Sequence, residues 1–297
     1  MTDQVRLVEV GPRDGLQNEP SHPTTEIKIE LIRRLFGAGL RHIEAGAFVS
    51  PRWVPQMADS AAVIAALEPP AGSEILALVP NEAGLNPALA SQVGTVAVFT
   101  AASETFSQRN TNCSIAEGLT RIRSVVEQAK AANRQVRGYV SCVVGCPYEG
   151  RIPVSSVVRV AEELFAMGCD EIALGDTNGA ARPAEIQAFL SAVTGSIPVG
   201  RIAIHAHDTY GMGIANVLTA LEYGVRSIDS SVAGLGGCPY APGATGNVAT
   251  EDIVYLLEGQ GLATGADLDE LTRIGAWICN ALGRPLASRV GKARLAT

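Results

Sequence analysis

Apolar positions in this chain change their spacing repeatedly. Short runs in which Val, Ile, Leu and Ala adjoin or alternate give way to longer runs spaced by about 3.6, with Gly, Pro or Asn between them. The short runs predict eight strands, at residues 5–11, 41–48, 74–80, 95–101, 136–144, 171–176, 201–207 and 227–232. The longer runs predict helices. Ser114-Ile115-Ala116-Glu117 has capping-box spacing, and Ile115, Leu119, Ile122, Val125, Val126 and Ala129 form one stripe behind it. Thr24 or Thr25 starts another helix, with Ile27, Leu31 and Leu35 inward and Gly37 or Gly39 at its end.

Most of these strands are apolar on both faces, as when helices cover the outside of a sheet and side chains fill the inside. Eight such units in 297 residues fit an α/β fold, a closed (β/α)8 TIM barrel, for which about 250 residues is typical. The whole chain, 1–297, then reads as a single catalytic barrel domain with extra C-terminal helices over about 262–297 packed on the barrel. A doubly wound open sheet is the runner-up, but no G-x-G-x-x-G follows the first strand.

Composition narrows the classes. With 47% hydrophobic and 18% charged residues the chain can bury a large core. The net charge of −7, with no Lys/Arg run, argues against a nucleic-acid partner but leaves room for a small anionic one. No apolar run approaches the roughly 20 residues of a membrane span. The start, Met1-Thr2-Asp3-Gln4, does not read as a signal peptide, and the six cysteines are widely spaced. Reduced thiols in a cytoplasmic protein are the expectation.

In a barrel of this kind the reactive groups stand at the carboxyl ends of the strands. The first strand runs into Arg13 and Asp14 at the rim, a pair that on its own is more often an ion pair or a turn device than a functional one. Glu44 interrupts the apolar second strand and needs a cation, for which Arg13 is the obvious partner. In the seventh strand the period of two puts His205 and His207 on one face, an arrangement suited to a divalent metal although H-x-H alone is not diagnostic. Past the eighth strand, Cys238 lies in a Gly/Pro loop, and Asn247 offers either an amide oxygen or a helix cap. Barrel closure would bring Asp14, His205, His207 and Asn247 together from three contiguous strand ends. One carboxylate, two imidazoles and an amide oxygen, with no thiolate, suit Mg2+ or Mn2+.

GPRDGLQNE, FVSPRWVPQM, RGYVSCVVGCPYEG, HAHDTYG and SSVAGLGGCPY together closely resemble the 3-hydroxy-3-methylglutaryl-CoA lyase family, from about residue 5 to about 290. The resemblance implies an acyl-CoA substrate, a homodimer and a role in leucine degradation. It implies a cation on Asp14, His205, His207 and Asn247, and catalytic roles for Arg13, Glu44, Cys238 and for Asp14 or His205 as base. Gln17, Asp176 and Thr177 would bind substrate. The implied reaction is a retro-Claisen cleavage to acetoacetate and acetyl-CoA. The chain departs from the family's usual residues at Ala47 and Ala173, where serine is usual, at Asn178, and at Pro20, where a lysine would touch CoA. Arg52 or Arg109 could serve the phosphates instead. Such departures leave open a lyase for another tertiary 3-hydroxyacyl-CoA, such as citramalyl-CoA or a longer-branched 3-hydroxyglutaryl-CoA. A Claisen-condensing acyltransferase and a non-catalytic binding barrel are the other readings.

Overall fold

The computed structural model describes residues 4–237 and 246–296. Eight parallel strands close in the order β1-β10-β9-β8-β5-β4-β3-β2. They are β1 (Arg6–Glu9), β2 (His42–Ala47), β3 (Glu74–Leu78), β4 (Thr95–Ala101), β5 (Gln135–Ser141), β8 (Glu171–Asp176), β9 (Ile202–Ala206) and β10 (Ser227–Ser230). A two-stranded ribbon, β6 (Gly145–Cys146) and β7 (Gly150–Arg151), lies outside the barrel order. The barrel is the fold that the alternation of strand-like and helix-like runs predicts.

Six of the eight strands end one to three residues earlier than their apolar runs suggest, and three of these ends shape the site. After Glu9 the chain enters a wide helical turn, Gly11–Gly15, closed by the Gly15 N–H donating to the Val10 carbonyl at 3.2 Å. A Cβ at Gly15 would sit 2.8 Å from Leu235 Cβ, so glycine lets this turn press against the chain leaving β10. The fifth strand stops at Ser141 because Cys142 is left-handed, at φ 61°. Beyond Ser230 a short turn, Val232–Gly234, holds Ala233 at φ 61° as well.

The helices pack as their stripes require. In α5 (Ile115–Ala131) the Glu117 N–H donates to Ser114 Oγ, the Glu117 carboxylate accepts from the Ser114 N–H, and all six expected stripe residues are buried. Thr24 caps α1 (Thr25–Gly37), burying Leu31 and Leu35 and leaving Ile27 half-buried. At the C-terminal end stand α9 (Thr250–Gly259), α10 (Leu268–Leu282) and α11 (Arg289–Leu295). Arg34 on α1 lies over the Trp277 ring of α10 at 4.4 Å.

The large apolar core lies between strands and helices. Inside the barrel a second cluster contains only Val8, Val10 and Leu76. Much of the remaining interior is polar. One inward row runs Val8, Asp229, His205, Gly175 and another Ser227, Ala203, Ala173, Tyr139. A third carries Glu171, Arg137, Ala97, Leu78 and Ala47.

Candidate active site

The carboxyl ends of β1 and β9 bring three expected ligands together. One ligand atom from each of Asp14, His205 and His207 lies within 4.8 Å of the others, and no other such group of His, Cys, Asp or Glu occurs among the described residues. The two imidazole Nε2 atoms face each other at 3.3 Å. Asn247 reaches the cluster from the segment that follows residue 245 and bridges back to His207. It is not a helix cap, since Ala249 occupies that position ahead of α9. Its Nδ2 donates to Asp14 at 2.8 Å, while its Oδ1 is buried without a partner.

Arg13 stands beside this cluster, pinned by two carboxylates. Its Nε donates to Glu44 at 2.7 Å and its Nη1 to Asp14 at 2.8 Å. Burial works against the Arg13 charge, yet Glu44 and Asp14 outweigh it and raise its pKa. Burial would likewise lift Asp14, but Arg13 and the two imidazoles bring its carboxyl down to about 2. The histidines diverge. Burial followed by the neighbouring His205 lowers His207 to about 4. For His205, burial is outweighed by Asp229 and Asp14, and the pKa rises.

The cluster fits a divalent cation. Two facing ring nitrogens, an ionised carboxylate and an orphan amide oxygen present acceptors to one small volume. Oxygen and imidazole donors without thiolate match magnesium or manganese.

The expected substrate groups lie around this mouth. Asp176 is fully buried, accepts from the Ala181 N–H at 3.0 Å, and keeps Oδ1 unpartnered. Burial raises its carboxyl to about 6. Thr177 Oγ1 accepts from the Cys142 N–H at 2.8 Å, tying two strand ends together. Gln17, just past the Gly11–Gly15 turn, has a buried Oε1 without a partner. Arg52 lies over the Trp53 ring at 5.8 Å and Arg109 over Tyr148 at 4.3 Å. Cys238 lies outside the described residues. No disulfide joins the five described cysteines, all of them buried.

Sequence reasoning missed Asp229, Arg137 and Tyr139. Asp229 Oδ2 lies 3.0 Å from His205 Nδ1, and its Oδ1 accepts from Arg137 Nη2 at 2.6 Å. Arg137 Nη1 donates to Tyr139 Oη at 2.9 Å, and the Tyr139 ring stands edge-on to His205. The signal was the one that picked out Glu44, a charged residue inside an apolar strand.

The HMGL-like family model matches residues 4–278. The mitochondrial hydroxymethylglutaryl-CoA lyase of Gallus gallus is 53% identical over 290 residues, 98% of this chain and 97% of that protein. The cytoplasmic 3-hydroxy-3-methylglutaryl-CoA lyase of Rattus norvegicus is 50% identical over 293 residues, 99% of this chain and 85% of that protein. A solved hydroxymethylglutaryl-CoA lyase from Pseudomonas aeruginosa superposes with a TM-score of 0.97 at 52% identity, covering 100% of this chain and 99% of that one. Agreement of this extent, over strands, turns and terminal helices alike, shows that the chain belongs to the HMGL-like family.

Proposed function

We propose that this chain is a carbon–carbon lyase that cleaves 3-hydroxy-3-methylglutaryl-CoA to acetoacetate and acetyl-CoA. The observation that carries the reading is the Asp14, His205 and His207 cluster with Arg13 fixed beside it, in a chain about half identical to lyases named for that thioester. Asp14, His205, His207 and Asn247 would hold Mg2+ or Mn2+. Such a cation acidifies a hydroxyl and fixes the oxygens around it.

The rest of the work falls to side chains. The C3 hydroxyl proton passes to Asp14, and the C2–C3 bond breaks into a ketone and the enolate of acetyl-CoA. Arg13 is a fixed cation where negative charge appears only as the bond breaks, and Glu44 keeps it aimed. Cys238 gives its proton to the carbanion, and the thiolate recovers one from the base. Gln17, Asp176 and Thr177 orient the substrate. A homodimer in the cytoplasm, acting in leucine degradation, completes the reading. Among the described residues no helix is long and apolar enough to cross a membrane.

A second reading is favoured by Ala47 and Ala173, which lie on the inward rows with Arg137 and Tyr139. Methyl groups there give the acyl pocket no hydroxyl to offer, which suits a longer-branched 3-hydroxyglutaryl-CoA or citramalyl-CoA. The test is a panel of these thioesters with Mg2+ or Mn2+, following acetyl-CoA release. A preference of about a hundredfold for any thioester over the methylglutaryl one overturns the first reading. Release of free CoA from acetyl-CoA and a keto acid would instead mark a condensing enzyme.

A further inference from the structure

Two histidines of the candidate cation site are not equivalent. His205 has a carboxylate behind it, at 3.0 Å from Nδ1, whereas His207 Nδ1 is buried with no partner among the described residues. Asp229 is itself 1% exposed and sits level with His205 in the register between β10 and β9. The Arg137 guanidinium, ion-paired with Asp229 at 2.6 Å, makes it a carboxylate. A carboxylate only accepts hydrogen bonds. The proton on His205 therefore belongs on Nδ1, and the Nε2 lone pair points at the cluster.

The other oxygen of Asp229 is held by Arg137, which is 2% exposed and also donates to Glu171 at 2.6 Å. Glu171 in turn pairs with Arg6 at the far end of the barrel. Charged pairs this deep are costly compared with the branched apolar layers that usually fill such a barrel. As mere filler, Arg137 and Glu171 would neutralise each other without Asp229.

We propose that Asp229, held in place by Arg137, is a positioning residue for the cation, fixing the tautomer and aim of His205. Carboxylate–histidine–metal arrangements of this kind sharpen affinity by orienting the ring and raising its basicity. The inference rests on the proposed cation site, and it predicts what an amide at this position does. Arg137 keeps the amide oxygen, so the amide nitrogen faces His205 Nδ1 and drives the proton to Nε2, where it blocks ligation.

Direct Mn2+ titration of the purified protein tests this by calorimetry or by the signal of free Mn2+. Asp229→Asn should weaken Mn2+ binding by about 10- to 100-fold. Glu171→Gln breaks the network further down and should lower the melting temperature while leaving the Mn2+ dissociation constant within about twofold. An Asp229→Asn protein that binds Mn2+ like the wild type overturns the inference alone. Wild-type protein that binds no Mn2+ overturns the cation site with it. Should Asp229→Asn not fold, nitrogen-15 spectra of the wild-type histidines decide. A proton on His205 Nδ1, retained when Mg2+ is added, supports the assignment, and one on Nε2 overturns it.

Discussion

Both ends of the barrel are crowded with charge, and they use it differently. At the amino-terminal floor the carboxylates are matched: Glu171 by Arg6 and Arg137, Asp170 by Lys130 at 2.8 Å, and Glu74 by the Thr95 hydroxyl. At the mouth, buried Gln17 Oε1, Glu44 Oε1, Asp176 Oδ1, His207 Nδ1 and Asn247 Oδ1 have no partner among the described residues, against Ser73 Oγ and Arg134 Nε at the floor. Open volume is no guide either, since cavities of about 270 and 230 Å³ open at the floor. Neither charge nor space marks the reactive end. The gathering of unmatched acceptors does, because a buried polar atom without a partner costs about 1–3 kcal/mol unless something else fills the role.

If that contrast is functional, the largest effect comes from emptying the mouth of its imidazoles. Replacing His205 and His207 together by alanine should cut turnover by about 10⁴-fold, equivalent to the several kcal/mol a bound cation supplies, and abolish Mn2+ binding. Full cleavage activity in the double variant would refute the proposed chemistry. Cys238→Ala separates proton transfer from cation binding. A loss of about 10³-fold in turnover, with Mn2+ affinity unchanged in the same preparation, is the expected pattern. A non-catalytic barrel would show neither change.

Why the mouth was largely legible from the chain, and the floor hardly at all, has a physical reason. Asp14, His205 and His207 each break an apolar strand or its end, so the chain itself marks them as exceptions. Glu44 and Arg13 could be paired because a buried carboxylate requires a cation. Asp229 and Arg137 are exceptions of the same kind, but they lie 92 positions apart in a contact that only the closed barrel creates. Strand ends were overrun for a local reason. The left-handed backbone at Cys142 and Ala233 is uncommon for residues bearing a Cβ and leaves no mark on the apolar pattern.

The floor should respond as a structure rather than as a catalyst. Glu171→Gln leaves Arg137 and Arg6 short of a counter-charge, and should cost on the order of 3 kcal/mol in urea unfolding. Turnover of the folded fraction should stay within about twofold, since nothing at the reacting end changes. A loss of turnover as large as that of Cys238→Ala would erase the distinction between the two ends.

The subtlest effect at the mouth is a response to pH. Glu9 and Glu251 stand fully buried beside the mouth with no ion-paired cation among the described residues, and burial pushes them to about 7 and about 8 respectively. Their folded pKa values exceed the unfolded ones, so the folded state holds protons that the unfolded state releases. That stability is complete below about pH 4.5 and is lost as pH rises through 7 and 8. The slope is at most about 1.4 kcal/mol per pH unit for each group. Glu251→Gln stays neutral throughout, so urea midpoints measured from pH 5 to 9 should fall less steeply than in the wild type. An unchanged slope in Glu251→Gln would mean that the carboxylate is already ionised in the folded protein. The position matters because both Glu251 oxygens accept from the N–H of left-handed Ala233, in the turn that leads from β10 toward the cluster. Ionising this carboxyl strengthens that hydrogen bond but leaves a buried charge in the mouth's own scaffold, and the desolvation outweighs the gain.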